Sequence, residues 1–397
     1  MFYIKRGNVP NKRHTQFKKE NGKLYFEEHI SREGFSSIYS NVYHEKMPTE
    51  ILSVGNFNEF SITESFGKHK NRHFFTKKLN LSGDCVNARQ PLLYNDDITI
   101  YKLHANKNMD YAYRNSHFDE LFYIQSGNGC FKSNFGHINI KTGDYLVIPR
   151  GVIWKMDLDT DLSCLLLESS APIETPNRYR NKFGQLMEHS PFCERDIAVP
   201  DLDPIELSQN VHLKVRLKKG IQEYILKNSP FDIIGWDGCY YPWKLNINDF
   251  EPITGSIHQP PPVHQTFQSA GFVVCSFVSR MFDYHPESIP APYPHSNVDS
   301  DEVIFYSMGD FMSRNGVEEQ SISFHPAGIS HGPHPGRYEG SIGKKRTEEL
   351  AVMVDTFKPL KVASGLKEIE DEKYSLSWLT SVSYTHLRAH ETDSYLV

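Results

Sequence analysis

At 397 residues the chain is too long for one ordinary domain, and a formal net charge of −6 leaves no basic excess with which to meet nucleic-acid phosphates. Hydrophobic residues make up 39% and charged residues 23%, enough to bury two cores, while plentiful Phe and Tyr with recurring Pro and Gly favour short strands and turns over long helices. Six single cysteines without a CxxC pair argue against a zinc knuckle or a disulfide framework, and no apolar run approaches the roughly 18 residues of a membrane span. With no secretory core at the start, a reduced, cytoplasmic protein that handles small molecules is expected.

In chain order, the first hundred residues alternate polar and aromatic runs, densest in YFEEHISREGFSSIYSNVY (25–43), and read as strands and wrapping loops without a catalytic signature. From Ile98 short apolar-alternating runs bounded by Gly, Asn or Asp follow closely (ELFYIQSGNG, CFKSNFGHINI, DYLVIPRG), the signal of an antiparallel barrel or sandwich. APIETPNRYRNKFGQ (171–185) interrupts them as a candidate linker, and a second β-rich block runs from Phe231 to about Pro359. LKEIEDEKYSLSWL reads as a short amphipathic helix over roughly 367–379. The closing VSYTHLRAHETDSYLV resembles translated adapter read-through, so its His386 and His390 carry no functional reading.

An internal repeat locates the chemistry. DELFYIQSG (119–127) and DEVIFYSMG (301–309) share an Asp-Glu pair, an apolar strand and a Gly at one distance. Each runs into a related turn: Pro149, Gly151 and Trp154 in the first copy match Pro326, Gly328 and His331 in the second, the P-x-G-x-x-H element of cupins. The fold class predicted is therefore all-β, a bicupin with peripheral loops and the short C-terminal helix. Its parts are 1–205 with a metal-free barrel, 206–360 with the metal-binding barrel, 361–379 the helix and 380–397 a non-native tail.

In a strand beginning at Glu302 alternate side chains face inward, so Glu302 can enter the barrel, where a carboxylate is costly unless paired or metal-bound. His295, seven residues earlier, and His331 can converge on the same point, giving the two-histidine, one-carboxylate arrangement of non-haem iron(II) oxygenases. In the first copy Trp154 stands where His331 stands in the second and cannot ligate; His117 and Glu120 make a poor site, and that barrel reads as structural.

From LYFEEH to DTFKPL the sequence resembles the homogentisate 1,2-dioxygenase family, most densely around the second block. The resemblance places the iron ligands on His295, Glu302 and His331, with Asp301 as the fallback carboxylate because the family's His-to-Glu spacing falls there. It puts the catalytic base on His258 in GSIHQPPPVHQTF, substrate-lining roles on His325 and Asn297 together with His331, and Phe311 where the family has a Tyr contacting the substrate carboxylate. His264, His285 and His334 are given structural roles. It further implies Fe(II) as cofactor, O2 as co-substrate, cleavage of homogentisate to maleylacetoacetate within tyrosine and phenylalanine breakdown, and a trimeric or hexameric homo-oligomer. Two alternatives stay open: a cupin dioxygenase for another dihydroxylated aromatic acid such as gentisate or hydroxyanthranilate, motivated by Phe311, and a non-catalytic cupin.

Overall fold

Two glycines at equivalent places end the repeated strands. Gly127 and Gly309 close Asp119–Ser126 and Asp301–Met308 at φ of +97° and +102°, and a Cβ on either would run into a backbone carbonyl, that of Asp161 or of Glu348. Only glycine satisfies both the left-handed backbone and the close approach. The computed structural model describes residues 2–309 and 311–379, so the expected tail at 380–397 lies outside the described residues.

Each repeat builds the same antiparallel sheet order. In the first half Asp144–Ile148, Asp119–Ser126, Leu162–Ser169, Ile98–Ala105 and Arg89–Tyr94 lie side by side. In the second half Ser321–His325, Asp301–Met308, Leu350–Thr356, Phe272–Phe277 and Gln265–Gln268 follow in the same sequence. The register is kept as well: Glu120 faces Glu168 across the first pair and Glu302 faces Asp355 across the second. Directly opposed residues share one face of a sheet, so both carboxylate pairs belong to the barrel interiors. The bicupin fold thus stands on topology and register.

The halves exchange their outermost strands. Trp243–Asn246, beyond the first repeat, pairs with Asp144–Ile148 and extends the first sheet. Arg72–Phe75, before the first repeat, pairs with Ser321–His325 and extends the second. The two large sheets meet through one continuous apolar core containing Phe122, Trp154, Phe267, Phe305 and Val354. Buried hydroxyls bridge them, with Tyr123 to Ser307 at 2.7 Å and Tyr145 to Ser276 at 2.8 Å, so the phenol bodies stay apolar contacts while each polar tip is satisfied.

Two expectations need correction. The sheets do not divide at 205/206: Gln209–Leu217 pairs in parallel with Ala112–Asn115, Gly220–Asn228 pairs with Ile51–Glu59, and Ile233–Gly238 pairs with Tyr39–His44 and Ile4–Gly7. Nor is 367–379 a helix; it forms two single 3-10 turns, Lys367–Ile369 and Tyr374–Leu376. Tertiary contacts claim the groups that a helix would have used. Asp371 N donates to His73 O at 2.8 Å, the Arg72 guanidinium donates to both Glu370 oxygens at 2.8 Å, and Ile369 and Tyr374 are buried.

Candidate metal centre

His295 sits on a strandless approach, Glu302 is the second residue of Asp301–Met308, and His331 ends the turn after Ser321–His325. The histidines are locked by reciprocal backbone bonds: His295 N donates to His331 O at 2.8 Å and His331 N to His295 O at 2.9 Å. Gly328, at φ +82°, gives the turn its bend, and its amide donates to the Asn297 carbonyl at 2.7 Å.

Three atoms able to ligate a metal converge. One atom each from His295, Glu302 and His331 lies within 4.8 Å of the others; Glu302 Oε2 is 3.5 Å from His295 Nε2, and Glu302 Oε1 is 3.4 Å from His331 Nε2. His331 Nδ1 lies 3.0 Å from the Ile329 carbonyl and His295 Nδ1 3.2 Å from the Tyr293 carbonyl. A carbonyl only accepts, so both rings are protonated at Nδ1 and turn a bare Nε2 lone pair toward Glu302. This is the orientation that metal-ligating histidines take when a backbone carbonyl holds the other nitrogen. His331 Nε2 is buried with no hydrogen-bond partner, an orphan that a cation would satisfy. The donor set therefore fits a divalent metal, and Asp301 does not enter it. Its carboxylate instead accepts from the amides of Ala327 at 2.8 Å and Leu360 at 2.6 Å, pinning the turn that carries His331.

Burial would push the Glu302 carboxyl up, but the three imidazoles gathered around it, His295, His325 and His331, outweigh that and hold it well below the usual carboxylate range. His295 is raised, chiefly by its contact with Glu302. Burial pushes His325 down to about 3, against the opposing pull of Glu302, so that ring is neutral.

The remaining predicted residues fall around this point. His325 is fully buried behind Glu302, its Nδ1 2.7 Å from Glu302 Oε1 and its Nε2 3.0 Å from the Tyr374 hydroxyl. Both of its nitrogens are taken, so it braces the carboxylate in this arrangement. Asn297 is half-buried and contributes its carbonyl to the turn. His258 is exposed, with Nδ1 3.4 Å from Asp283 Oδ2 and its ring 5.3 Å edge-on to Tyr293, which in turn meets His295 at 6.3 Å. It stands at the rim rather than among the ligands. Phe311 is buried against Tyr306 with ring centroids 4.8 Å apart. Of the set-aside histidines, His264 packs on Phe277, burial pushing it down to about 3, and His334 accepts from Asn315 N.

Sequence reasoning missed the C-terminal contributors. Tyr374 reaches His325, and Trp378 Nε1 donates to Gly332 O at 3.0 Å, beside His331. No motif marks them. The only signal is two large aromatics in an otherwise charged segment.

In the first barrel, Trp154 is fully buried among Tyr113, Phe122 and Phe131, with ring centroids 5.1 to 5.8 Å away. Glu120 pairs with the Arg89 guanidinium at 2.7 Å, and His117, far from facing inward, is exposed and accepts from Lys218 N.

Residues 69–247 match the family described as homogentisate 1,2-dioxygenase N-terminal. A Saccharolobus solfataricus protein provisionally named a dioxygenase, with no substrate stated, is 42% identical over 96% of this chain and 100% of its own length. The homogentisate 1,2-dioxygenase of Bradyrhizobium diazoefficiens is 24% identical over 68% of this chain. The chain belongs to the homogentisate 1,2-dioxygenase family. As a member it is a dioxygenase-type cupin, although the match spans only 63% of the Bradyrhizobium enzyme. A solved cupin barrel protein of Leptotrichia buccalis shares 11% identity over 68% of this chain and 88% of its own, with a TM-score of 0.33. Among the described residues no helix is long and apolar enough to cross a membrane.

Proposed function

We propose that this family member is an iron(II)-dependent dioxygenase that opens the ring of a dihydroxylated aromatic acid, with homogentisate as substrate, O2 as co-substrate and maleylacetoacetate as product. The observation that carries the reading is the convergence of His295, Glu302 and His331, with both Nε2 lone pairs free and one of them orphaned. Two imidazoles and one carboxylate would hold the ion on one side and leave positions for substrate and oxygen. Bound there, iron(II) would supply Lewis acidity toward a phenol oxygen and the electron exchange that lets O2 react with an aromatic ring.

The protein's own groups do the rest. His325 braces Glu302, the backbone bonds between His295 and His331 keep the ligands at one spacing, and Asp301 ties the His331 turn to the strand. His258, beside Tyr293 on the exposed side, would accept the phenol proton, with Asp283 favouring a proton on Nδ1 and leaving Nε2 free. Asn297 would shape the substrate side. Association into a homo-oligomer is part of the same reading: Ile51–Glu59 lies at a sheet edge with Ile51, Leu52 and Val54 all more than half exposed, an apolar edge that a further copy would cover. Reduced, unpaired cysteines support a cytoplasmic setting.

A second reading rests on Phe311, which has no hydroxyl with which to meet a substrate carboxylate and spends its ring on Tyr306. It keeps the metal and the ring cleavage but changes the acid, to gentisate or hydroxyanthranilate. Anaerobic iron(II) loading followed by oxygen uptake with each acid separates the two. Uptake with homogentisate alone supports the first reading, and turnover of gentisate alone overturns it.

A further inference from the structure

The short strand Ala112–Asn115 carries a charge where its neighbours are apolar. Tyr113 and Asn115 face the first barrel, meeting the Trp154 ring at 5.1 Å and Glu168 Oε1 at 3.0 Å, so Ala112 and Arg114 lie on the outer face of the same sheet. There Arg114 stands in register between Ile153 on one strand and Val215 on the other, and Leu213 and Leu226 extend the apolar row. These side chains wall a cleft of about 480 Å³ whose polar end is formed by Arg114 with Glu28 and His44.

Among the described residues Arg114 Nε is buried with no hydrogen-bond partner, and burial pulls the guanidinium pKa down against the support of Glu28. Glu28 is already committed: it accepts from His44 Nε2 at 3.1 Å, while Asp232 accepts from His44 Nδ1 at 2.6 Å, so the buried imidazole is a cation held between two carboxylates. A second cavity of about 590 Å³ also opens on Arg114, but the two other arginines that border it, Arg32 and Arg150, are spent on Asp119 at 3.0 and 2.7 Å. A buried guanidinium without a direct counter-ion is costly, and in an apolar row it calls for a ligand that supplies the anion.

We propose that this cleft is a second ligand site, which takes a small organic monocarboxylate with an apolar body: the carboxylate meets the Arg114 guanidinium, and the body lies along Ile153, Leu213, Val215 and Leu226. A carboxylate matches the planar fork of a guanidinium with two parallel hydrogen bonds, and the volume falls within the roughly 300–1,000 Å³ of small-molecule sites. The site lies on the outer face of the first half's sheet and does not depend on the ring-cleaving reading of His295, Glu302 and His331.

The test titrates the full chain calorimetrically with octanoate, an acid without ring hydroxyls, and with 1-octanol as the uncharged control. Wild type is expected to bind octanoate, and both Arg114→Met and the exchange of octanoate for octanol are expected to weaken binding by about 10- to 100-fold, the worth of hydrogen bonds between charged groups. Because Arg114→Met replaces an unpaired buried charge with an apolar side chain, its thermal midpoint is expected to rise. No binding at millimolar octanoate overturns the proposal, and so does equal affinity in wild type and Arg114→Met, whichever way the midpoint moves. If Arg114→Met does not fold, Val215→Phe, which adds bulk to the cleft wall, decides: an unchanged octanoate affinity overturns the proposal, and a loss of similar size supports it.

Discussion

The two barrels place a carboxylate at the same interior register and neutralise it in different ways. In the first, Glu120 is paired to Arg89, the same guanidinium stands 3.6 Å from Glu168, and it lies over the rings of Tyr113 and Phe122, with Trp154 filling the space beyond. In the second, Glu302 is surrounded by three imidazoles, and its cross-strand partner Asp355 keeps a buried oxygen without a partner. A buried carboxylate must be compensated, and the compensating group decides what the barrel can do. A fixed guanidinium supplies the counter-charge to Glu120 and offers no lone pair to a cation. Imidazoles with free lone pairs offer donors that fit a cation.

Mutations in the two barrels are expected to differ in what they cost. The largest effect is expected for His331→Ala, which removes one of the three proposed ligands: metal content should fall to trace and oxygen uptake to background, and retained stoichiometric iron would overturn the assignment of the second barrel. His258→Ala should lower turnover by about 10²- to 10⁴-fold, the usual worth of a positioned base, with metal content intact; a loss of metal instead would place it among the ligands. Arg89→Met leaves Glu120 buried without its counter-charge and should cost about 3–5 kcal/mol in denaturant unfolding, with cobalt affinity of the surviving folded protein unchanged. Smallest is Trp154→Phe, expected to cost about 1–3 kcal/mol by the same measurement and to leave oxygen uptake alone; a drop in uptake would mean the first barrel is more than a scaffold.

Much of this arrangement was legible in the residues. The repeated Asp-Glu strand closed by Gly127 and Gly309, and the paired turns ending in Trp154 and His331, state two barrels and name the one that can ligate. Spacing alone leaves Asp301 and Glu302 adjacent and equal. The period of two along a strand separates them, sending one carboxylate to the amides of Ala327 and Leu360 and the other to the histidines. What stayed hidden depends on partners remote in sequence. Arg72–Phe75 and Trp243–Asn246 read as ordinary short strands, and nothing local says that each completes the opposite sheet, which is why a boundary at 205/206 looked natural. The charged run around 367–379 reads as helical locally because the carbonyl that takes its Asp371 amide, that of His73, lies about three hundred residues away in the chain.

The crossed strands bear on how the protein is made. A growing chain exposes Arg72–Phe75 early and must keep that edge without a mate until Ser321–His325 leaves the ribosome, while the first sheet waits for Trp243–Asn246. Neither half can mature ahead of the other, so the unit that folds is the whole polypeptide, and severed halves expressed apart would each present a bare edge to aggregation.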